Sequence, residues 1–480
     1  MRNAFLRGML FSAIGRYSSV LAMIAVNAVL SRLLTPKDFG QVALVTVAAV
    51  LLDQVAQAGL QPAVIQDQSL TKGQLRVIFN YSLIFSFSGC LLLGALGVII
   101  GTVSGNTTYS GIAWALAPGV LFKGAAAVPT GLLLKEHRFA SVNVSLLVSS
   151  IVGGGLSIWA AVSGWGVFAL PVQTGITSLV SLVVLLSITR IWVTRSLDKS
   201  VISRVIGFAS RQFAFNLVNY VSRNLDTLLV GRFLGTTALG NYNKAYTLVT
   251  YPNGAFLGLI TPVLQPVLAR HQDNVQVIRH AYLKLVHVLS TVGLAVSVFM
   301  AVGAEPLVLT LFGSQWEEAI LPCRILSATV WVQMTMSSTG AVFQARNKPR
   351  LLLITGIIGA IILGCAIIIG VLVGSIVSVS LTLAVGFYIN WAVCFWLLMT
   401  RALDGKLLDV VRLLFRPMVI ALITGLPLLL VEQMISIESV VARLGILISV
   451  WAVLTLLAAI LLGEAKTIWN MVSGRSNHDQ

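Results

Sequence analysis

The chain has 480 residues, of which 57% are hydrophobic and 10% are charged, with a formal net charge of +16. A soluble globular protein would carry about 25% charged residues, so this composition excludes that class and points to a bilayer. The excess of basic residues is spread singly through short connections rather than massed on one segment, which fits orientation in a membrane and argues against nucleic acid as a partner.

In chain order, apolar windows predict fourteen spans, near 9–33, 40–61, 77–101, 111–134, 140–162, 167–189, 206–233, 240–268, 281–303, 319–344, 350–371, 375–399, 412–431 and 442–462. Arg2 and Arg7 precede the first window, but its apolar run continues to Leu34, beyond the length of a cleavable signal, so it reads as a true span. The fold class expected is an all-α polytopic membrane protein. Placing the N-terminus in the cytoplasm and alternating sides puts 23 basic residues in cytoplasmic segments. Only Arg32, Lys37, Arg232 and Arg443 remain on the opposite side. An even span count with both termini cytoplasmic follows, because one missed span would invert every later loop.

The end of the first span, Ser31-Arg-Leu-Leu-Thr-Pro-Lys-Asp-Phe-Gly40, has a counterpart at the end of the seventh, Gly231-Arg-Phe-Leu-Gly-Thr-Thr-Ala-Leu-Gly240. Arg32 matches Arg232, Leu34 matches Leu234 and Gly40 matches Gly240. The fourth and tenth spans also end alike, in Leu134-Lys-Glu-His-Arg138 and Gln344-Ala-Arg-Asn-Lys348. Duplication predicts two parallel six-helix lobes, 1–200 and 201–400, around a central cavity, with 401–480 adding two helices and a short cytoplasmic tail. Parallel repeats about an axis along the membrane normal suit alternating access.

Six charged residues stand out within the spans: Arg16, Asp53, Lys123, Arg223, Asp226 and Lys244; Arg324, near an outer span end, can snorkel and is set aside. Charge there is costly and marks pathways or partners. In the seventh span Gln212, Asn216, Asn219, Arg223 and Asp226 recur at spacings of 4, 3, 4 and 3, which confines them to roughly 80° of helical arc. One wet stripe on an otherwise apolar helix reads as a cavity wall. Arg16 and Asp53 lie at similar depth, roughly 10–12 Å below one face, and are candidates for an ion pair, as are Arg223 and Asp226. Lys123 has no carboxylate three or four residues away. It is the best candidate for a cavity cation, with pairing to another helix as the alternative. Arg16, Lys123, Arg223, Asn216, Asn219 and Lys244 are the candidate substrate-binding residues, and Asp53 and Asp226 the candidate coupling or structural carboxylates. Four cations against two acids favour an anionic passenger such as a pyrophosphate.

Cys90, Cys323, Cys365 and Cys394 form no CxxC pair, and the five histidines have no metal-ligand spacing, so no metal or other cofactor is expected.

Leu33-Leu-Thr-Pro-Lys-Asp-Phe-Gly40, the stretch Gln54 to Gln66, Leu70-Thr-Lys-Gly-Gln-Leu75 and Ser222-Arg-Asn-Leu-Asp-Thr-Leu-Leu-Val-Gly-Arg-Phe-Leu-Gly235 resemble Wzx-type polysaccharide flippases. So do Ala238-Leu-Gly-Asn-Tyr-Asn-Lys-Ala-Tyr246 and Ala304-Glu-Pro-Leu-Val-Leu with Trp316. The resemblance is closest to the colanic-acid-exporter branch of the multidrug/oligosaccharidyl-lipid/polysaccharide exporter superfamily and covers about residues 5–400. It implies a non-enzymatic transporter of the bacterial inner membrane that moves undecaprenyl-pyrophosphate-linked oligosaccharide for polysaccharide or lipopolysaccharide synthesis. Its implied partners are that lipid-linked oligosaccharide, membrane lipids, and a polysaccharide polymerase with export machinery. The rival readings are a cation-coupled multidrug antiporter of the same superfamily, a lipid II flippase, and a membrane-embedded polymerase or glycosyltransferase. Against an enzyme stands the lack of a large outer loop: the longest outer connection is near Glu305 to Glu318.

Overall fold

The computed structural model describes residues 2–57, 59–203, 220, 224–269, 274–434 and 437–464, with the backbone alone for 2–17 and 255–269. Among the described residues, ten helices are long and apolar enough to cross a membrane, or eleven if the bent pair Ser314–Ser327 and Val330–Ala345 is one span. The chain packs as two compact units, Met1–Gly240 and Asn241–Gln480.

The first unit holds α1 (Arg2–Leu33), α2 (Pro36–Gln57), α3 (Leu60–Gln66), α4 (Lys72–Ser104), α5 (Thr108–Ala125), α6 (Ala127–Lys135), α7 (Phe139–Val162), α8 (Ala169–Thr189) and α9 (Leu225–Phe233). Helix α10 (Thr236–Ala269) starts at its end. Local chemistry sets the boundaries. At the start of α2, Asp38 Oδ2 accepts from the Thr35 amide at 2.9 Å and the Thr35 hydroxyl at 2.7 Å, while Pro36 occupies the first helical position, where no amide hydrogen bond is lost. Gly59, at φ 68°, breaks the second span into α2 and α3, a conformation that costs a residue with a Cβ more than it costs glycine. Thr71 and Gln74 form a reciprocal cap at the start of α4, and Gly105, at φ 65°, ends it. Helix α4 therefore reaches a little beyond its apolar window, 77–101, because its cap and stop lie outside it.

Helix α2 packs on α4 and α5, α5 on α8, and α1 and α8 on α7. Small residues permit the close approach: a Cβ on Gly89 would meet Val120, Ala56 and the Leu52 carbonyl, and one on Gly124 would stand 2.2 Å from Ser86 Oγ and 3.1 Å from the Ala56 Cβ. Within a bilayer, where apolar burial between helices gains little, such contacts carry association.

The matched glycines of the two span ends meet in this unit. A Cβ on Gly40 would lie 1.8 Å from the Thr236 carbonyl oxygen, and a Cβ on Gly240 would lie 1.9 Å from that of Pro36. Each glycine thus presses on the residue four positions before its own counterpart, so the contact repeats the symmetry seen in the sequence.

The second unit holds α11 (Val275–Val302), α12 (Ala304–Phe312), α13 (Ile320–Ser327), α14 (Val330–Met336), α15 (Thr339–Ala345), α16 (Pro349–Val373), α17 (Ile376–Arg401), α18 (Leu407–Leu413), α19 (Phe415–Met434) and α20 (Val440–Leu461). Helix α11 is central, packed by α14 and α19, with α20 on α19 and α16 against α17. The tenth span bends by 51°, with no proline at the break between Ser327 and Val330. There Thr329 Oγ1 donates to the Leu326 carbonyl at 2.7 Å, so a hydroxyl takes up a main-chain acceptor at the bend. Cys323 and Cys394 are buried and all four cysteines are free thiols.

Candidate functional site

Asp53 and Lys123 form the most distinctive polar group of the first unit. Asp53 is on α2, one turn before its end at Gln57, and Lys123 is in the last turn of α5. Lys123 Nζ donates to Asp53 Oδ2 at 2.7 Å, across 70 positions of sequence. The pair is asymmetric: the Lys123 side chain keeps 49% of its surface open, against 8% for Asp53. Among the described residues, the buried Asp53 Oδ1 has no hydrogen-bond partner. The Ala56, Ser86, Gly89 and Gly124 contacts lie immediately beside it, so tightly packed small residues hold α2 and α5 at the spacing the ion pair needs. Nearby, the Tyr220 hydroxyl donates to the Val47 carbonyl at 2.9 Å, which adds a polar anchor on the same helix.

This arrangement gives Asp53 a counter-ion while leaving much of the ammonium available. An uncompensated buried carboxylate is strongly destabilising, so Lys123 stabilises the packing. Its open face can also hold a second anion, because an ammonium has three donors and Asp53 engages one. The side chain of Arg16 lies outside the described residues, and so do Asn216, Asn219 and Arg223.

Asp226 is buried at the start of α9. Its Oδ1 accepts from the Thr227 amide at 2.7 Å, a place where a negative charge also meets the positive end of the helix dipole. In the second unit Lys244 is buried, with Nζ 4.9 Å from the Phe312 ring centre and 5.1 Å from that of Trp316. This cation–π contact ties α10 to the 304–319 segment. One turn earlier, Asn241 Nδ2 donates to Glu318 Oε2 at 2.8 Å.

Two ionic clusters went unread in the sequence. At one end of the C-terminal helix pair, Arg443 bridges Glu305, at 3.1 Å, and Glu432. At the other, His287 Nε2 and Glu464 Oε2 are 2.7 Å apart, with Arg416 3.6 Å from the second carboxylate oxygen. Between them Trp451 Nε1 donates to the Ala295 carbonyl at 2.9 Å and the Trp451 and Phe299 ring centres are 5.0 Å apart. The available signal was Arg443 itself, a lone cation at a span start on the side otherwise poor in basic residues.

The comparisons with known proteins follow this architecture. Residues 29–321 match the family model described as "Polysaccharide biosynthesis protein". The teichuronic acid biosynthesis protein TuaB of Bacillus subtilis is 27% identical over 40% of this chain and 40% of its own length. The lipopolysaccharide biosynthesis protein WzxC of Escherichia coli is 21% identical over 88% of this chain and 87% of its own. Among solved structures, the lipid II flippase MurJ in an inward closed conformation superposes with a TM-score of 0.73 at 13% identity, covering 95% of this chain and 99% of that one. At that identity the likeness is one of fold.

Proposed function

The chain belongs to the polysaccharide biosynthesis protein family, and on that premise we propose that it is a flippase carrying undecaprenyl-pyrophosphate-linked oligosaccharide repeat units across the bacterial inner membrane by alternating access. The observation that carries this reading is Lys123: a cation within a membrane span, half open, and held in place by a buried carboxylate. A pyrophosphate head group cannot cross hydrocarbon unaided, because nothing there replaces its hydration. A fixed ammonium in a wet groove offsets that desolvation while the polyprenyl tail remains among the lipids. The stripe of Asn216, Asn219 and Arg223 and the candidate cations Arg16 and Lys244 belong to the same proposal. The fold shared with a flippase and the likeness to the succinoglycan biosynthesis transport protein ExoT of Rhizobium meliloti, 24% identical over 83% of this chain and 80% of its own, support transport over enzymatic chemistry.

We take the lobes to be 1–200 and 201–400, with 401–480 as an accessory pair, and both termini to be cytoplasmic. The polysaccharide polymerase and export machinery are the partners this role requires.

The test is translocation of a lipid-linked oligosaccharide into the protected leaflet of proteoliposomes. Lys123→Gln should lower the rate roughly tenfold or more, equivalent to about 1.4 kcal/mol, whereas Lys123→Arg should retain most of it. An unchanged rate in Lys123→Gln at normal abundance sinks the reading. One observation favours the cation-antiporter alternative: Asp53 Oδ1 is buried and, among the described residues, without a partner, as a site for an exchanged proton would be. Efflux of a cationic dye driven by a proton gradient, abolished by Asp53→Asn, would select that alternative.

A further inference from the structure

The second unit has a basic groove that the transport proposal does not use. Its cavity, of about 890 Å³, lies between the first turns of α11 and the short helix α18. Arg279, His280 and Lys284 line one wall, and Asp409 and Arg412 the other. Arg279 is fixed in place, since its Nη1 donates to the Asp404 carbonyl at 2.7 Å. Asp409 is the one acid in this lining; its Oδ2 accepts from the Lys406 amide at 3.0 Å and caps α18, so the basic residues outnumber it. Among the described residues, neither Lys284 nor Arg412 has a carboxylate within ion-pair distance. The groove therefore presents two unpaired cations and an anchored guanidinium around one acid already engaged.

A second observation identifies what fits it. Beside Arg412, α18 and the start of α19 expose Leu408, Val411 and Phe415, at 49%, 46% and 70% of their surfaces. Their spacing of three and four residues puts them on one face. These residues begin the apolar outer face of the candidate membrane span Leu407–Met434, so a chain lying along them stays in hydrocarbon while its headgroup meets Arg412. A soluble anion has no use for that stripe, whereas an acyl chain does.

We propose that the groove between α11 and α18 binds the phosphate of an acidic phospholipid, with the acyl chains lying along Leu408, Val411 and Phe415. The orientation proposed above puts this groove in the cytoplasmic leaflet, but binding by the purified protein does not depend on orientation or on transport. The site shares no residue with Asp53 and Lys123, so its failure and that of the flippase reading are separable.

Full-length protein in phosphatidylcholine nanodiscs, titrated with fluorescent phosphatidylglycerol, gives the affinity. A charge-assisted contact from a basic side chain to a phosphate is worth about tenfold in affinity. A Lys284→Gln, Arg412→Gln double variant should therefore bind about 100-fold more weakly. A Lys348→Gln, Arg350→Gln double variant removes equal charge from the exposed start of α16, outside the groove, where only screened attraction is lost, and should change affinity less than about twofold. Lys284→Arg should bind as the wild type does, and all variants should keep its thermal unfolding curve, which separates lost binding from lost folding. An equal loss in the α16 control would assign the effect to overall charge and overturn the site. Competition by inorganic phosphate as effective as by unlabelled phosphatidylglycerol would overturn a lipid in favour of a soluble anion, and so would a lack of preference for phosphatidylglycerol over phosphatidylcholine.

Discussion

Gly40 and Gly240 stand in reciprocal contact, each with its missing Cβ directed at a backbone carbonyl of the other's helix, 1.8 Å away for Gly40 and 1.9 Å for Gly240. Both obstacles are main chain, at the first turns of α2 and α10. Neither can rotate aside as a side chain would.

Alanine at either glycine should therefore force the two helix starts apart. The expected cost is about 1–3 kcal/mol per site, the range for overpacking a closed contact, seen as a lower Tm in detergent. Gly175→Ala, on α8, is the control, because a Cβ there meets nothing within 4 Å. It should leave Tm unchanged. Equal behaviour of the three variants would show that the contact is loose.

The ion pair gives a prediction that separates structure from transport. Lys123→Gln strands a buried carboxylate and should destabilise the protein by about 1–3 kcal/mol. Adding Asp53→Asn removes the stranded charge and should restore most of that stability. If Lys123 contacts the passenger, the double variant regains its Tm but not its translocation rate. Recovery of both would make the pair purely structural. Arg16 is tested in the same way: Arg16→Ala is rescued by Asp53→Asn only if these two side chains also share charge.

Topology is checked by cysteine labelling in cells. Residues in 102–110 and 304–318 should react with an impermeant reagent added outside, and residues in 190–205 only after lysis. The reverse pattern would invert the orientation and place the basic groove in the outer leaflet.

The seventh span makes a finer forecast. Cysteines at Asn216, Asn219 and Arg223 should react with a water-soluble thiol reagent, while those at Leu217 and Leu225 should not. Uniform labelling around the helix would remove the cavity wall from the proposal.

The ten or eleven spans seen among the described residues were legible because each is a long apolar run. The window at 350–371 became Pro349–Val373, where Pro349 starts the helix and Gly374, at φ 92°, ends it. The window at 77–101 became Lys72–Ser104, since Thr71 and Gln74 begin the helix outside the apolar run. The Gly40 and Gly240 match was visible as a repeat, although nothing in a repeat says that its two copies touch. The partner of Asp53 was not legible. A helix reveals only neighbours three and four residues away, and Lys123 is 70 positions distant. The bend in the tenth span was hidden for a related reason: it lacks proline and depends on which hydroxyl turns back to its own main chain.

The two ionic clusters at the ends of the C-terminal helix pair also impose an order on biogenesis. Glu305 and Glu432 emerge from the ribosome before Arg443, and His287 and Arg416 before Glu464. Until α20 is made, one end of the nascent bundle holds two acids and the other a cation and an imidazole, each without the partner it has in the finished protein. Helix α20 brings the missing sign to both ends at once, a cation at its start and an acid just past its end. Unpaired charge in or near the bilayer is costly, so a nascent chain truncated after Met434 is held in an electrostatically incomplete state. Removal of α20 should therefore lower the thermal stability of the remaining helices in detergent, because both ends lose their counter-charges at once.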